Sequence, residues 1–348
     1  MRRRLPGDIR AALDQHAGLL TVTAAADFGI TRSRLANCAR NGSLYRAASG
    51  VYAVPRELTP WQRHTLHSRA FSLANPHVYL TGWSAAATHG LPTLGRPPGK
   101  VLAVNPRSLG GSQTTRFGKV LHHRLPPEHQ AHLGYNAVSI AWTVCDLATR
   151  SPLHYALAVA DAAARRSLHP QGAQQHFVNW RGAGRVGWVC ENADPLAESP
   201  IESLGRFAAI MGGLPLPISN AWVGPGFPLY RVDGLWPYHW AAFEADGAIK
   251  YDNRGDASRI VQKQTEREWQ LRRDLGVDVL RFGYRQALDP NSLAARMHRF
   301  LECNPRRSAP IRWWKHSEGV GPVEPEPADW PSPEPREYAL PRNWAQPA

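Results

Sequence analysis

Apolar positions recur at helical spacing near the front of the chain, then give way to short runs of the kind that pair as strands. From Asp8 to His16, Ile9, Leu13 and neighbouring alanines predict a helix, which Gly18 ends. Leu19-Leu20-Thr21-Val22 fits a short connecting strand. Thr23 is the expected N-cap of a brief helix, Ala24 to Phe28, broken by Gly29. Thr31 caps the next helix, Arg32 to Arg40, with Leu35 and Ala39 turned inward. Asn41-Gly42 stops it, and Leu44-Tyr45-Arg46 with Gly50-Val51-Tyr52-Ala53-Val54 predicts a hairpin. Helices followed by a hairpin in this order read as a small winged helix-turn-helix over residues 8–54, with a domain spanning 1–58.

Farther along, helices from Trp61 to Ala74 and Ser84 to His89 alternate with strands at Lys100 to Val104 and Lys119 to His123. Helices from Ser139 to Thr149 and Leu153 to Arg166 follow, with alanines at 156, 160, 163 and 164 suited to close packing. Residues 59–195 are therefore expected to be an α/β middle domain. Asp146 and Asp161 have no partner visible in the sequence and read as solvated or capping groups. Residues 304–348 hold ten prolines in 45 positions, a composition that buries too little surface to order, so a disordered tail is expected. Trp313, Trp314, Trp330 and Trp344 stand out within it.

Between these regions the order is helix, strand, strand with Asp233, strand ending in Glu244-Ala245-Asp246-Gly247, charged helix, strand and helix. Carboxylates suit strand interiors poorly. Clustered, they repel unless a cation or proton lies among them, and hard oxygen donors of this kind suit Mg²⁺. Each acid also has a structural reading. Asp233 and Asp246 precede Gly, a common turn signal, and Glu202 stands in the first turn of a helix, where the dipole favours acids.

Charge sharpens the picture. Of a net +13, residues 1–130 carry 17 Lys/Arg against five acids, or +12, while the remaining regions are nearly balanced. A surplus so localised points to a polyanion docking at the front, with Arg32, Ser33, Arg34 and Arg40 on the second short helix and Arg46 on the hairpin as DNA contacts. The four cysteines are far apart, without a C-x-x-C pair, which fits reduced thiols rather than a zinc ribbon or disulfide framework. The fifteen histidines are scattered, and His122-His123 reads as surface polarity. No apolar run reaches the roughly 18 residues of a membrane span, and no leader-like core follows Met1-Arg2-Arg3-Arg4, so a soluble cytoplasmic protein is expected. Walker, G-x-G-x-x-G and G-x-S-x-G motifs are missing, which disfavours a nucleotide-dependent enzyme.

Two resemblances attach to these residues. Gly29-Ile30, Leu35, Asn41-Gly42 and Gly50-Val51-Tyr52 resemble the N-terminal domain of AbiEi-family antitoxins. The likeness continues more loosely through Leu80-Thr81-Gly82-Trp83, Gly90-Leu91-Pro92 and Trp142-Thr143-Val144-Cys145-Asp146. It implies a transcriptional regulator or antitoxin, with a nucleotidyltransferase toxin as the partner to look for. Ser199 with Glu202, Val232-Asp233, Glu244 with Asp246-Gly247, and Val279-Leu280-Arg281 resemble restriction-endonuclease-like domains related to very-short-patch-repair endonucleases, of the PD-(D/E)XK type. That likeness implies a mixed sheet flanked by helices over residues 196–303. It also implies Mg²⁺ on Asp233, Glu244 and Asp246, with Glu202 and Lys250 as further catalytic groups and Arg272 or Arg281 on the DNA backbone. In the nuclease pattern a Lys stands two residues after the second acid; here that residue is Asp246, and Lys250 lies four further on.

Overall fold

In the computed structural model, which describes residues 5–246, 266, 269–332, 334, 340–341 and 343–346, the front of the chain folds as its apolar spacing predicts. Helix α1 (Gly7–Gln15) buries Ile9 and Leu13; β1 (Leu20–Thr21) leads into α2 (Val22–Ala26), and α3 (Arg32–Arg40) buries Leu35 and Cys38. The cap of α2 is Thr21 rather than Thr23: the Ala24 N–H donates to Thr21 Oγ1 at 3.0 Å. Two threonines stand two residues apart, and only the first has the extended backbone a cap requires. Strands β2 (Tyr45–Ala48) and β3 (Val51–Ala53) form the expected hairpin, and β1 pairs with β3 to give the order β1-β3-β2. Ile9, Leu13, Leu20, Ile30, Leu35, Leu44 and Tyr52 form one apolar core beneath it.

The same compact unit, Met1–Arg150 with Pro170–Asn179, continues through α4 (Pro60–Ala74), β4 (Tyr79–Leu80), α5 (Gly82–Thr88), β5 (Val101–Asn105), β6 (Ser112–Thr114) and β7 (Gly118–His122). It is completed by β8 (Gln130–His132), β9 (Asn136–Val138), α6 (Ile140–Arg150) and, after an excursion, α8 (Gln171–Gln174). Its mixed sheet runs β6-β7-β5-β4-β9-β8, with β5–β7 and β4–β9 parallel. Asp146 is not solvated. It is buried on α6, accepts a hydrogen bond from Thr81 Oγ1 at 2.8 Å and pairs with Arg150 one turn along.

The second unit, Ser151–His169 with Trp180–Ala348, holds α7 (Leu153–Ala164), α9 (Ala183–Asn192) and α10 (Pro200–Met211). It continues with β10 (Ile218–Val223), β11 (Tyr230–Trp236), β12 (Ala241–Asp246), β13 (Asp278–Gly283), α11 (Tyr284–Ala287), α12 (Pro290–Cys303), β14 (Trp313–Ser317) and β15 (Gly321–Val323). The sheet order is β13-β12-β11-β10-β14-β15, with β12–β13 parallel and the other pairs antiparallel. Within this unit the alanine-rich α7 packs on α10. Asp161, read as a solvated or capping group, is fully buried, accepts the Asp194 N–H at 2.8 Å and meets Arg206 of α10 at 3.1 Å. Its carboxyl is nonetheless pushed up to about 6: burial outweighs the Arg206 charge, and Asp194 adds repulsion.

Within the stretch whose prolines suggested disorder, Trp313–Ser317 and Gly321–Val323 form strands. Strand β14 pairs with the β10 edge, Trp222↔Trp314 and Val223↔Trp313, and Trp313 is buried against Trp330. The tryptophans supply the apolar area that composition alone had hidden, and β14 covers hydrogen-bonding groups that β10 would otherwise leave open.

Candidate functional site

The basic front is built on α3. The Arg34 N–H donates to Thr31 Oγ1 at 3.3 Å, closing the predicted cap, and Arg32, Ser33, Arg34 and Arg40 all lie exposed along the helix. They are not equally available. Arg34 is held by Asp8 through two hydrogen bonds of 2.5 and 3.0 Å, and that contact keeps the Asp8 carboxyl below its ordinary value. Arg40 bonds Asn37 on its own helix. Arg32 and Ser33 stand in the first turn, where Ser33 Oγ lies 3.0 Å from Thr31 Oγ1.

Arg46 on β2 enters a second basic feature. A cleft of about 680 Å³ is lined by Arg46, Arg56, Arg63, Arg116 and His67, with Phe117 in the wall and Glu57 as its acid. All four arginines are exposed. The guanidinium groups of Arg46 and Arg116 lie 5.9 and 5.5 Å from the centre of the Phe117 ring, close enough for cation–π contact to orient both. A surface of fixed guanidinium groups around an aromatic ring is suited to phosphate oxygens. The charge surplus had indicated such a surface; Arg56, Arg63 and Arg116 lacked any local pattern by which to single them out.

The four acids of the second unit meet only in part. On α10, Ser199 Oγ accepts the Glu202 N–H at 3.3 Å, and Glu202 Oε2 reaches back to the Glu198 N–H at 2.9 Å, so Glu202 does serve the helix start. The same oxygen accepts from Asn220 Nδ2 at 2.7 Å. Asn220, which sequence reasoning missed, is buried on β10 in the left-handed region at φ 51°, and also donates to the Leu196 carbonyl at 2.7 Å. A non-glycine residue held there costs on the order of 1 kcal/mol or more, supplied by its two buried bonds. The β10–β11 ladder runs Ser219↔Gly234 and then Ala221↔Val232 in one register, which sets Asn220 opposite Asp233.

Asp233 Oδ2 accepts the Ala245 N–H at 2.7 Å, and the Gly234↔Phe243 register sets Glu244 next in line across from it. Burial, and then the charge of Asp233, push the Glu202 carboxyl up to about 7. Asp246 turns to β13, where Arg281 Nη1 lies 3.3 Å from its Oδ2. These are oxygen donors of the kind Mg²⁺ takes, but Arg281 engages one of them. Among the described residues no three of the acids bring a ligand atom each within 4.8 Å of one another. Lys250 and Gly247 lie outside the described residues.

Residues 8–55 match the family described as "Transcriptional regulator, AbiEi antitoxin". An uncharacterized protein of Mycobacterium tuberculosis, MT2308, is 30% identical over 285 residues, covering 78% of this chain and 98% of its own length. Uncharacterized protein Rv2248, from a second strain, matches in the same measure. This chain belongs to their family. The alignment takes in nearly the whole length of the Mycobacterium proteins, and the residues of this chain that match the AbiEi regulator model are those that carry α1 to β3. No helix among the described residues is long and apolar enough to cross a membrane.

Proposed function

We propose that this protein is a DNA-binding transcriptional regulator of the AbiEi antitoxin kind, with α1 to β3 acting as a winged helix-turn-helix. The observation that carries the reading is that the AbiEi match coincides with an exposed, arginine-bearing helix inside a region of net charge +12. In this reading Arg32 and Ser33 at the start of α3 approach base edges in the major groove, Arg34 and Arg40 flank them, and Arg46 holds a phosphate beside Arg56, Arg63 and Arg116. The family description names an antitoxin, which supports a toxin as protein partner, and the resemblance to AbiEi antitoxins makes a nucleotidyltransferase the toxin to look for. Fluorescence anisotropy of labelled duplex DNA tests the DNA arm: full-length protein should bind, and Arg32→Ala and Arg46→Ala should each weaken binding. Equal affinity for all three proteins would contradict it.

A second reading has one observation in its favour, the Glu202 carboxyl held up by burial and Asp233, a repulsion that a divalent cation would relieve. In it, residues 196–303 form a restriction-endonuclease-like domain in which Asp233, Glu244 and Asp246 would hold Mg²⁺, with Glu202 and Lys250 beside them. Bound there, the ion would polarise a phosphodiester and activate water. Incubation with plasmid and single-stranded DNA in Mg²⁺ or Mn²⁺ decides it. Cleavage that disappears in Asp233→Asn and Glu244→Gln supports the nuclease; binding without cleavage leaves the regulator.

A further inference from the structure

Outside both candidate sites, two turns of the first unit bring a carboxylate and two imidazoles together. Glu128 and His129 lie in the single-turn helix Pro127–His129 that precedes β8, and His176 lies in the turn Gln175–Phe177 that follows α8. One ligand atom from each residue falls within 4.8 Å of the other two, the only such trio of His, Cys, Asp or Glu among the described residues. His176 Nε2 is 3.7 Å from Glu128 Oε1, and the two rings stand edge to face with centres 5.1 Å apart.

The imidazoles are prepared in a way that packing alone does not require. His129 is only 6% exposed, and its Nδ1 lies 2.9 Å from Ser139 Oγ, which fixes the ring. Nε2 of His176 is buried without a hydrogen-bond partner among the described residues, while the His129 ring interacts with the Gly172 backbone. A buried polar atom left unbonded costs about 1–3 kcal/mol, so His176 Nε2 beside a second imidazole needs an explanation. Trp142 of α6 closes one side, with its ring centre 5.4 Å from His129 and 5.9 Å from His176, while Glu128 remains exposed and able to move.

We propose that His129, His176 and Glu128 form a binding site for a divalent transition metal of the zinc class. Two imidazoles and one carboxylate are borderline donors that favour zinc over Mg²⁺, and three protein ligands leave a fourth position for water. Metal–ligand bonds of about 2.0–2.2 Å require the trio to close slightly, a movement the exposed Glu128 side chain can supply. With Nε2 as the ligating atom, the Nδ1–H of His129 donates to Ser139 Oγ, which orients the ring from behind. The ion would tie the α8 segment to the turn before β8, two stretches far apart in the sequence.

The test uses full-length protein stripped with chelator and titrated with zinc chloride, read by calorimetry and thermal melting. Wild type should take up zinc at one site and melt at a higher temperature with it, but not with magnesium chloride. Loss of one ligand of three should weaken that site by roughly 100-fold in His176→Gln and about tenfold in the exposed Glu128→Gln. His77→Gln, exposed and remote from the trio in sequence, should leave affinity unchanged and controls for the other histidines. Wild type without a tight zinc site, or with a site that both His176→Gln and Glu128→Gln retain at full affinity, would overturn the proposal. Because Glu128→Gln alters only an exposed side chain, its melting without metal should match wild type and separates lost binding from lost folding.

Discussion

Asp8 sets the availability of Arg34. The pair is exposed and contributes little to stability, yet it withholds one guanidinium from any phosphate that approaches α3. Asp8→Asn should therefore tighten duplex DNA binding, whereas Arg34→Ala should cost less affinity than Arg32→Ala; anisotropy titrations at one salt concentration compare the three. Glu202 makes a different prediction. Its carboxyl is raised in the fold from 4.5 to about 7, so the folded state binds the extra proton between those values. The associated stability is fully present below about pH 4.5 and is lost as pH rises through 7, by on the order of 3 kcal/mol in all. Asp161, raised to about 6, adds in the same direction. Denaturant melts of wild type should weaken from pH 5 to pH 8, and Glu202→Gln should flatten that fall without abolishing it. An unchanged slope in Glu202→Gln would contradict the burial argument.

At the scale of elements, α3 and α10 are the two whose local design can be tested. Thr31→Ala removes the α3 cap and should cost about 1 kcal/mol in chemical denaturation while weakening DNA binding. Gly205 lies where α10 crosses the sheet: a Cβ there would stand 2.5 Å from Phe282 Cζ and 3.4 Å from Phe243. Both rings are buried, so Gly205→Ala should destabilise by about 1–3 kcal/mol despite alanine's better helix propensity. What the sequence disclosed follows the range of the interactions. The α3 cap, the hairpin and the strand order around Asp233 and Glu244 were legible because each rests on neighbours in the chain. The β14 pairing with β10, the Asp161–Arg206 contact and the approach of His176 to His129 were not, since each joins stretches far apart in sequence. His122 and His123, read as surface polarity rather than as ligands, are half-buried. In the acidic cluster the sequence indicated the order of the acids, but not the left-handed Asn220 that reaches Glu202, nor Arg281 turning Asp246 aside.

For the whole molecule, the uneven charge is the property that most constrains function. A net of +12 over residues 1–130 makes long-range attraction to a polyanion unavoidable at low salt. It also gives the regulator reading a quantitative signature that does not depend on knowing the DNA sequence recognised. The second reading adds catalysis to that binding and stands or falls separately, by cleavage in Mg²⁺. The central claim is that the arginines of α3 and of the Arg46 cleft neutralise phosphates. Its most direct measurement is the affinity of the full-length protein for duplex DNA as a function of salt. With about six phosphates neutralised, the logarithm of the association constant should fall with the logarithm of salt at a slope of roughly −5, and Arg46→Ala should reduce that slope by about one. A wild-type affinity that stays level from dilute to physiological salt, or an Arg46→Ala slope identical to wild type, would contradict the account.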